Sequence, residues 1–137
     1  MFYPIFESLR NVLTPVVGEK AVQWYNNQYE STITKSNIAF IQFKDGLISR
    51  LTKQANQLDC LIIVHIVQKV KSDVDGSISD VQLQAHDLAV DKVAESLNGY
   101  VYTDGVTKSR EIKLVGCEPQ QSIGGFLVTL LSYKFTR

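Results

Sequence analysis

Hydrophobic and polar positions alternate along this chain with two periods, and the change from one to the other marks out its elements. Leu58 to Val70, LDCLIIVHIVQKV, is a nearly unbroken apolar run. Cys60, Ile62, Val64 and Ile66 fall on one side of a strand there, and Leu61, Ile63, His65 and Val67 on the other. Both sides are apolar, so both need cover: a helix for one, and the N-terminal helix or a neighbouring subunit for the other. Ser79 to Leu97 shifts to helical spacing, with Leu83, His86, Val90, Val93 and Leu97 on one face and Gln84, Asp87, Asp91 and Glu95 opposite. Ser79 followed by Gln82 fits a capping box, and Asn98-Gly99 supplies a left-handed stop.

The flanking segments follow from the same rules. Pro4 suits the first helical position, and Ile5, Phe6, Leu9, Val12 and Leu13 make an apolar stripe that Pro15 and Gly18 end. Lys20 to Tyr25 reads as a short strand, with a helix as the alternative. Asn26 to Asn37 is a long polar loop, a common place for binding roles, where Tyr25 and Tyr29 offer contacts. Ile38 to Phe43 is a strand with Ile38, Phe40 and Gln42 on one face and Ala39, Ile41 and Phe43 on the other. Asp45-Gly46 is a turn signal, and Leu47 to Thr52 is then either the return strand of a hairpin or an irregular stretch. Lys71 to Ile78 is a polar loop, and Asp104-Gly105 marks a turn within Tyr100–Lys108. Glu111 to Val115 is a strand, Glu118 to Gly125 a loop, and Phe126 to Thr136 a closing strand. The prediction is one α+β domain over residues 1–137: a mixed or antiparallel sheet of four to five strands, one long helix and a short N-terminal helix.

Composition narrows the functional classes. A chain of 137 residues is long enough to bury about two thirds of its unfolded surface without disulfides or metal. Fourteen basic and fourteen acidic residues cancel, which argues against non-specific nucleic-acid binding and removes one barrier to self-association. No apolar run approaches the ~20 residues of a membrane helix. MFYPIFESLRNVL lacks the basic start and small-residue cleavage site of a secretory signal, so a reducing cytoplasm is expected. There Cys60 and Cys117 read as small buried hydrophobes, with a cross-strand disulfide as the alternative.

The chemistry-bearing residues do not assemble into a reaction centre. If the long helix packs on the long strand, His65 and His86 meet, but a metal needs further ligands, and Cys60 has the wrong strand parity to join them. Asp73, Asp75, Asp80 and Gly76 lack the spacing and terminal Glu of a calcium loop. There is no G-x-S-x-G, and Gly124-Gly125 lacks the spacing of a phosphate loop and fits the start or a bulge of the last strand. Asp45 and Glu30 have nothing to bring them together as an acid pair. Trp24, Tyr25, Tyr29 and Tyr100 read as core or interface aromatics. No catalytic, cofactor-binding or metal-ligating residue is assigned, and no cofactor is expected.

The order of elements resembles that of the tail terminator (tail completion) proteins of long-tailed bacteriophages. In that family a short N-terminal helix leads to a brief strand, a variable loop and a strand of the type Ala39-Phe40-Ile41-Gln42-Phe43. A long strand, a polar loop, one long helix and a closing strand pair follow, matched here by Leu58–Val70, Lys71–Ile78, Ser79–Leu97, Glu111–Val115 and Phe126–Phe135. The resemblance implies a virion protein of the tail or neck, assembled in the host cytoplasm and without enzymatic activity. It would form a ring, commonly a hexamer, on the finished tail tube, stop its polymerisation and join the tail to head connector proteins. Its partners would be copies of itself, the tube protein and the connector, with no membrane and no specific nucleic-acid binding, while the lumen would leave room for DNA to pass. Asn26–Asn37 and Lys71–Ile78 would be the contact loops. A head-to-tail connector or neck ring protein is the nearest alternative, and a small-molecule-binding α+β domain is the alternative from another class.

Overall fold

The computed structural model describes residues 1–18, 20–26, 37–51, 56–71, 75–123 and 125–137, with the side chains of 120–123 outside the description. The elements run α1 (Tyr3–Val17), β1 (Val22–Trp24), β2 (Ile38–Arg50), β3 (Asn56–Lys69), α2 (Asp80–Leu97), β4 (Lys113–Ile123) and β5 (Phe126–Thr136). The five strands form one sheet in the order β1-β2-β3-β5-β4. Among the described residues only β1 with β2 is parallel; the β2–β3, β3–β5 and β4–β5 pairings are antiparallel. The expected α+β architecture is therefore present.

The apolar run at Leu58–Val70 becomes the middle strand because it alone can bury both of its sides. Leu58, Cys60, Ile62, Val64 and Ile66 join Ala39, Ile41, Leu131, Tyr133 and Phe135 in a core closed by both helices. From α1 this core takes Ile5, Phe6, Leu9 and Leu13, and from α2 it takes Val90, Val93 and Leu97. Both helices thus lie on one face of the sheet, and α1 does not cover the other. On that second face Ile38, Phe40, Val67, Phe126 and Val128 form a smaller cluster, against which Tyr25 and Leu130 pack.

Several local expectations change. α1 continues through Pro15 to Val17, and Gly18 caps it at φ 108°. Pro15 removes the donor that would reach the Asn11 carbonyl, but Asn11 is exposed and water can serve it. Val16 and Val17, packed against the core, hold the final turn. Asp45-Gly46 is not a hairpin turn. Register passes from Lys44↔Leu61 to Leu47↔Asp59, so these two residues bulge opposite Cys60 and β2 continues to Arg50. Asp45 takes the left-handed conformation, φ 56°, that ordinarily favours glycine. A Cβ on the neighbouring Gly46 would come within 3.4 Å of the Phe2 ring.

The segment expected as a loop, Glu118–Gly125, is mostly strand: β4 runs to Ile123 along β5. Gly125, at φ 88°, leads into β5; Gly124 lies outside the described residues. On α2, Leu83 is 43% exposed and does not share the buried face of His86, Val90, Val93 and Leu97. The capping box is half realised. Ser79 Oγ accepts from the Gln82 N–H at 3.4 Å, while the Gln82 side chain exchanges hydrogen bonds with the backbone of Lys71. Cys60 is buried, but Cys117 is an exposed free thiol on β4 rather than a core residue.

Two stability predictions follow from this packing. Val90→Asp sets an unpaired carboxylate against the core and should cost more than about 3 kcal/mol in denaturant unfolding; a variant as stable as the parent would mean the buried face of α2 is misassigned. At the bulge, Asp45→Val should cost about 1–2 kcal/mol, whereas Asp45→Gly should stay within about 0.5 kcal/mol of the parent.

Candidate functional site

The sheet ends in two edges of different chemistry. At one end β1 is so short that it shields only Ala39–Ile41 of β2. The Tyr25 N–H donates to the Ile41 carbonyl at 3.0 Å. Beyond that point no strand among the described residues borders the outer side of β2, which runs on past the bulge to Arg50. This arm carries exposed apolar side chains. Leu47, Ile48 and Leu51 are exposed by 62%, 52% and 62%. Beside it lies a groove of about 350 Å³ lined by Met1, Phe2, Trp24, Phe43, Ile48 and Leu58. Its floor is an aromatic chain in which Phe43 lies 5.0 Å from Phe2 and 5.4 Å from Trp24, and Trp24 meets the edge of Phe6 at 5.3 Å.

At the other end, among the described residues β4 pairs only with β5 and no strand covers its outer side. Val115 is 58% exposed there and Cys117 is exposed beside it. Pro119 suits such a position, since an edge strand can forgo one N–H. Sequence pattern did not single out Leu47, Ile48, Leu51 or Val115. The available signal was the alternation that resumes immediately after Asp45-Gly46, which fits one interrupted strand as well as a turn and return.

The histidines stand on opposite faces of the sheet and do not meet. His65 lies on the second face, where its Nε2–H donates to Gln42 Oε1 at 2.7 Å and Tyr25 stacks on its ring at 4.0 Å. His86 projects from α2, donating from Nδ1 to Asn37 Oδ1 at 2.8 Å and accepting at Nε2 from the Thr129 hydroxyl at 2.9 Å. Each arrangement suits a neutral imidazole. They also share a role: Tyr25 and Asn37 flank the 26–37 segment, and each is held by a histidine. Burial pushes the His65 pKa down to about 4. Burial lowers that of His86 as well, with the Asp87 charge acting in the opposite direction.

The other singled-out residues are dispersed. Tyr100 hydrogen-bonds Ser8 of α1 through its hydroxyl. Asp75 caps the Ser77 N–H at 3.0 Å. Glu30, Tyr29 and Asp73 fall outside the described residues, as does most of the Asn26–Asn37 loop. Among the described residues no group of three His, Cys, Asp or Glu side chains could hold a metal ion, and no helix is long and apolar enough to cross a membrane.

No family model matches the chain. No curated protein matches it in sequence. Its fold does match a solved chain from the virion of a native gene transfer agent particle, with a TM-score of 0.66 over 96% of this chain and 90% of that one. Identity is 10%, so the likeness is one of fold.

The buried histidines predict a pH dependence. Between the unfolded His value near 6.5 and the lower folded values, the unfolded chain binds more protons than the folded one. Stability contributed by His65 is therefore complete above pH ~6.5 and lost as pH falls toward 4. Urea midpoints should drop across that window, and His65→Gln should flatten the drop even though it weakens the fold at pH 7. An unchanged slope would mean His65 is not the titrating group.

Proposed function

We propose that this protein is a structural component of a phage-like virion, a tail terminator that closes as a ring on the tail tube. In this role it stops tube polymerisation and offers a surface to the head connector. The observation that carries the reading is the pair of unlike open edges at opposite ends of the sheet. A protomer whose two binding surfaces differ associates head to tail, and head-to-tail contacts close into a ring when the rotation between neighbours closes. The β2 arm, with its exposed Leu47 and Ile48, and the β4 edge provide two such surfaces, and exposed edges are templates for another chain. The fold likeness to a chain of a gene transfer agent virion points to the same class of particle. Tube protein, connector and further copies of the chain are the partners this role requires, a hexamer is the expected ring, and no catalytic step is needed.

One observation favours a reading from another class. A groove of about 390 Å³ between α2 and the β4–β5 pair, lined by Leu83, His86, Asp87, Pro119, Leu127 and Thr129, falls within the size range of small-molecule sites.

Native mass spectrometry across a concentration series, with variants at each edge, separates these readings. The parent should give a discrete ring-sized oligomer. Ile48→Lys on the β2 arm and Val115→Lys on β4 should each arrest assembly, because a lysine on an edge opposes pairing. Mixed one to one, the two variants should form a heterodimer through their one remaining intact contact. A parent that stays monomeric at every concentration and on added tube would remove the ring reading and favour the groove as a ligand site. A parent that stops at a homodimer would mean a self-complementary interface.

A further inference from the structure

Net neutrality conceals an uneven distribution of charge. The solvent side of α2 carries Asp80, Asp87, Asp91 and Glu95 against one base, Lys92. The second face of the sheet carries the opposite sign at one end. There Lys44 stands opposite Leu61, Leu61 opposite Lys134, and Lys134 opposite Lys113. Directly opposed residues share a face, so the three lysines lie in one row across β2, β5 and β4, with Leu61 of β3 between the first two. All three are exposed. At about 4.8 Å per strand, the row spans about 14 Å. Arg110 borders it, grouped with Lys113, Lys134, Glu111 and Thr136 around a shallow concavity of about 290 Å³.

The nearby acids offset this row only in part. Asp59, one pairing step from Leu61, accepts from the Thr136 hydroxyl at 2.6 Å and from the Gln57 amide at 2.8 Å. These bonds first, and then Lys134 and Arg110, hold its carboxyl below the usual range. Glu111 stands beside the row, and Glu118, opposite Leu130, lies farther along the same face. No salt bridge joins either glutamate to a lysine of the row among the described residues. Lys113 directly opposite Lys134 is a like-charge pair, which weakens a sheet in the isolated chain. An anionic partner laid across the row relieves that repulsion.

We infer that this lysine row is a phosphate-backbone contact surface, which takes duplex DNA without regard to sequence. The reading rests on the geometry of the charges and is independent of ring formation. The three lysines of the row are exposed, and the concavity at its end is shallow and lined by Arg110, Glu111, Lys113, Lys134 and Thr136. Exposed ammonium groups on long, flexible stems suit a line of phosphates, which is bound through charge and without regard to base sequence.

The test is fluorescence anisotropy of a labelled random-sequence duplex titrated with the parent protein at several salt concentrations upward from about 20 mM. Three phosphate contacts predict a log–log salt slope near −3. The combined Lys44→Gln, Lys113→Gln, Lys134→Gln variant should bind at least tenfold more weakly, with a slope near zero. Lys113→Gln alone should lower the slope by about 1. Lys92→Gln with Lys108→Gln, which removes two exposed charges elsewhere, should bind as the parent does. Thermal unfolding of each variant serves as the folding control, and relief of the Lys113–Lys134 repulsion should leave the triple variant at least as stable as the parent. Three results would overturn the inference: a parent that does not bind the duplex at low salt, a triple variant that binds equally well, or competition by poly-glutamate as effective as by unlabelled duplex, which would assign the row to an acidic protein.

Discussion

Everything in this fold depends on β3 being apolar on both sides. A strand that must bury two faces cannot sit at an edge, so it is flanked along its length by β2 and β5. That placement puts β5, the last strand in sequence, in the interior beside it, and leaves β4 and the distal half of β2 as the rims. It also commits both helices. The even-numbered residues of β3 form the larger surface, and α1 and α2 together are needed to close it. The odd-numbered side is left with a small cluster under Tyr25 at one end and charged, solvent-facing rows at the other. Interior and rim thus follow from a single segment, and the two open edges and the lysine row lie on the rim or on the face the helices do not reach.

Periodicity was a sound guide wherever burial was one-sided or complete. The parity of β2 and β3, the buried stripe His86–Val90–Val93–Leu97 and the span of β5 all appear as the spacing of residues implies. The departures share a cause: turn-forming residues are ambiguous when the chain around them keeps its direction. Asp-Gly reverses a chain when two strands must pair locally. Here β3 demands a long partner, so the same dipeptide becomes a bulge within one long strand. Pro119 and the glutamines after it suggest a loop by composition, yet an edge strand tolerates them because its outer side makes no ladder. Pro15 is accommodated for a similar reason, since the carbonyl it orphans belongs to an exposed residue.

The functional features were less legible than the fold, and the reason lies in register. Spacing along a chain tells which residues share a face of their own element. It does not tell which element lies beside which, or how far one is slid along another. His65 and His86 look like neighbours if the helix packs on their side, but Gln42 claims one on the second face and Thr129 and Asn37 claim the other beneath α2. Likewise Leu47 and Ile48 look like half of an ordinary hairpin until the shortness of β1 leaves their edge open.

Charge makes the same point more sharply. A net charge is a sum, and a sum is blind to position. Equal numbers of acids and bases weigh against nucleic-acid binding only if they are mixed over the surface. Here one sign is concentrated on the outer side of α2, while lysines from three strands, distant in sequence, meet in one row through pairing register alone. Within a Debye length of about 8 Å at physiological salt, the row, and not the far side of the molecule, sets the local potential. A neutral protein built this way can present a cationic surface to one partner and an anionic one to another, and a part that must lie between unlike neighbours in an assembly requires that kind of division.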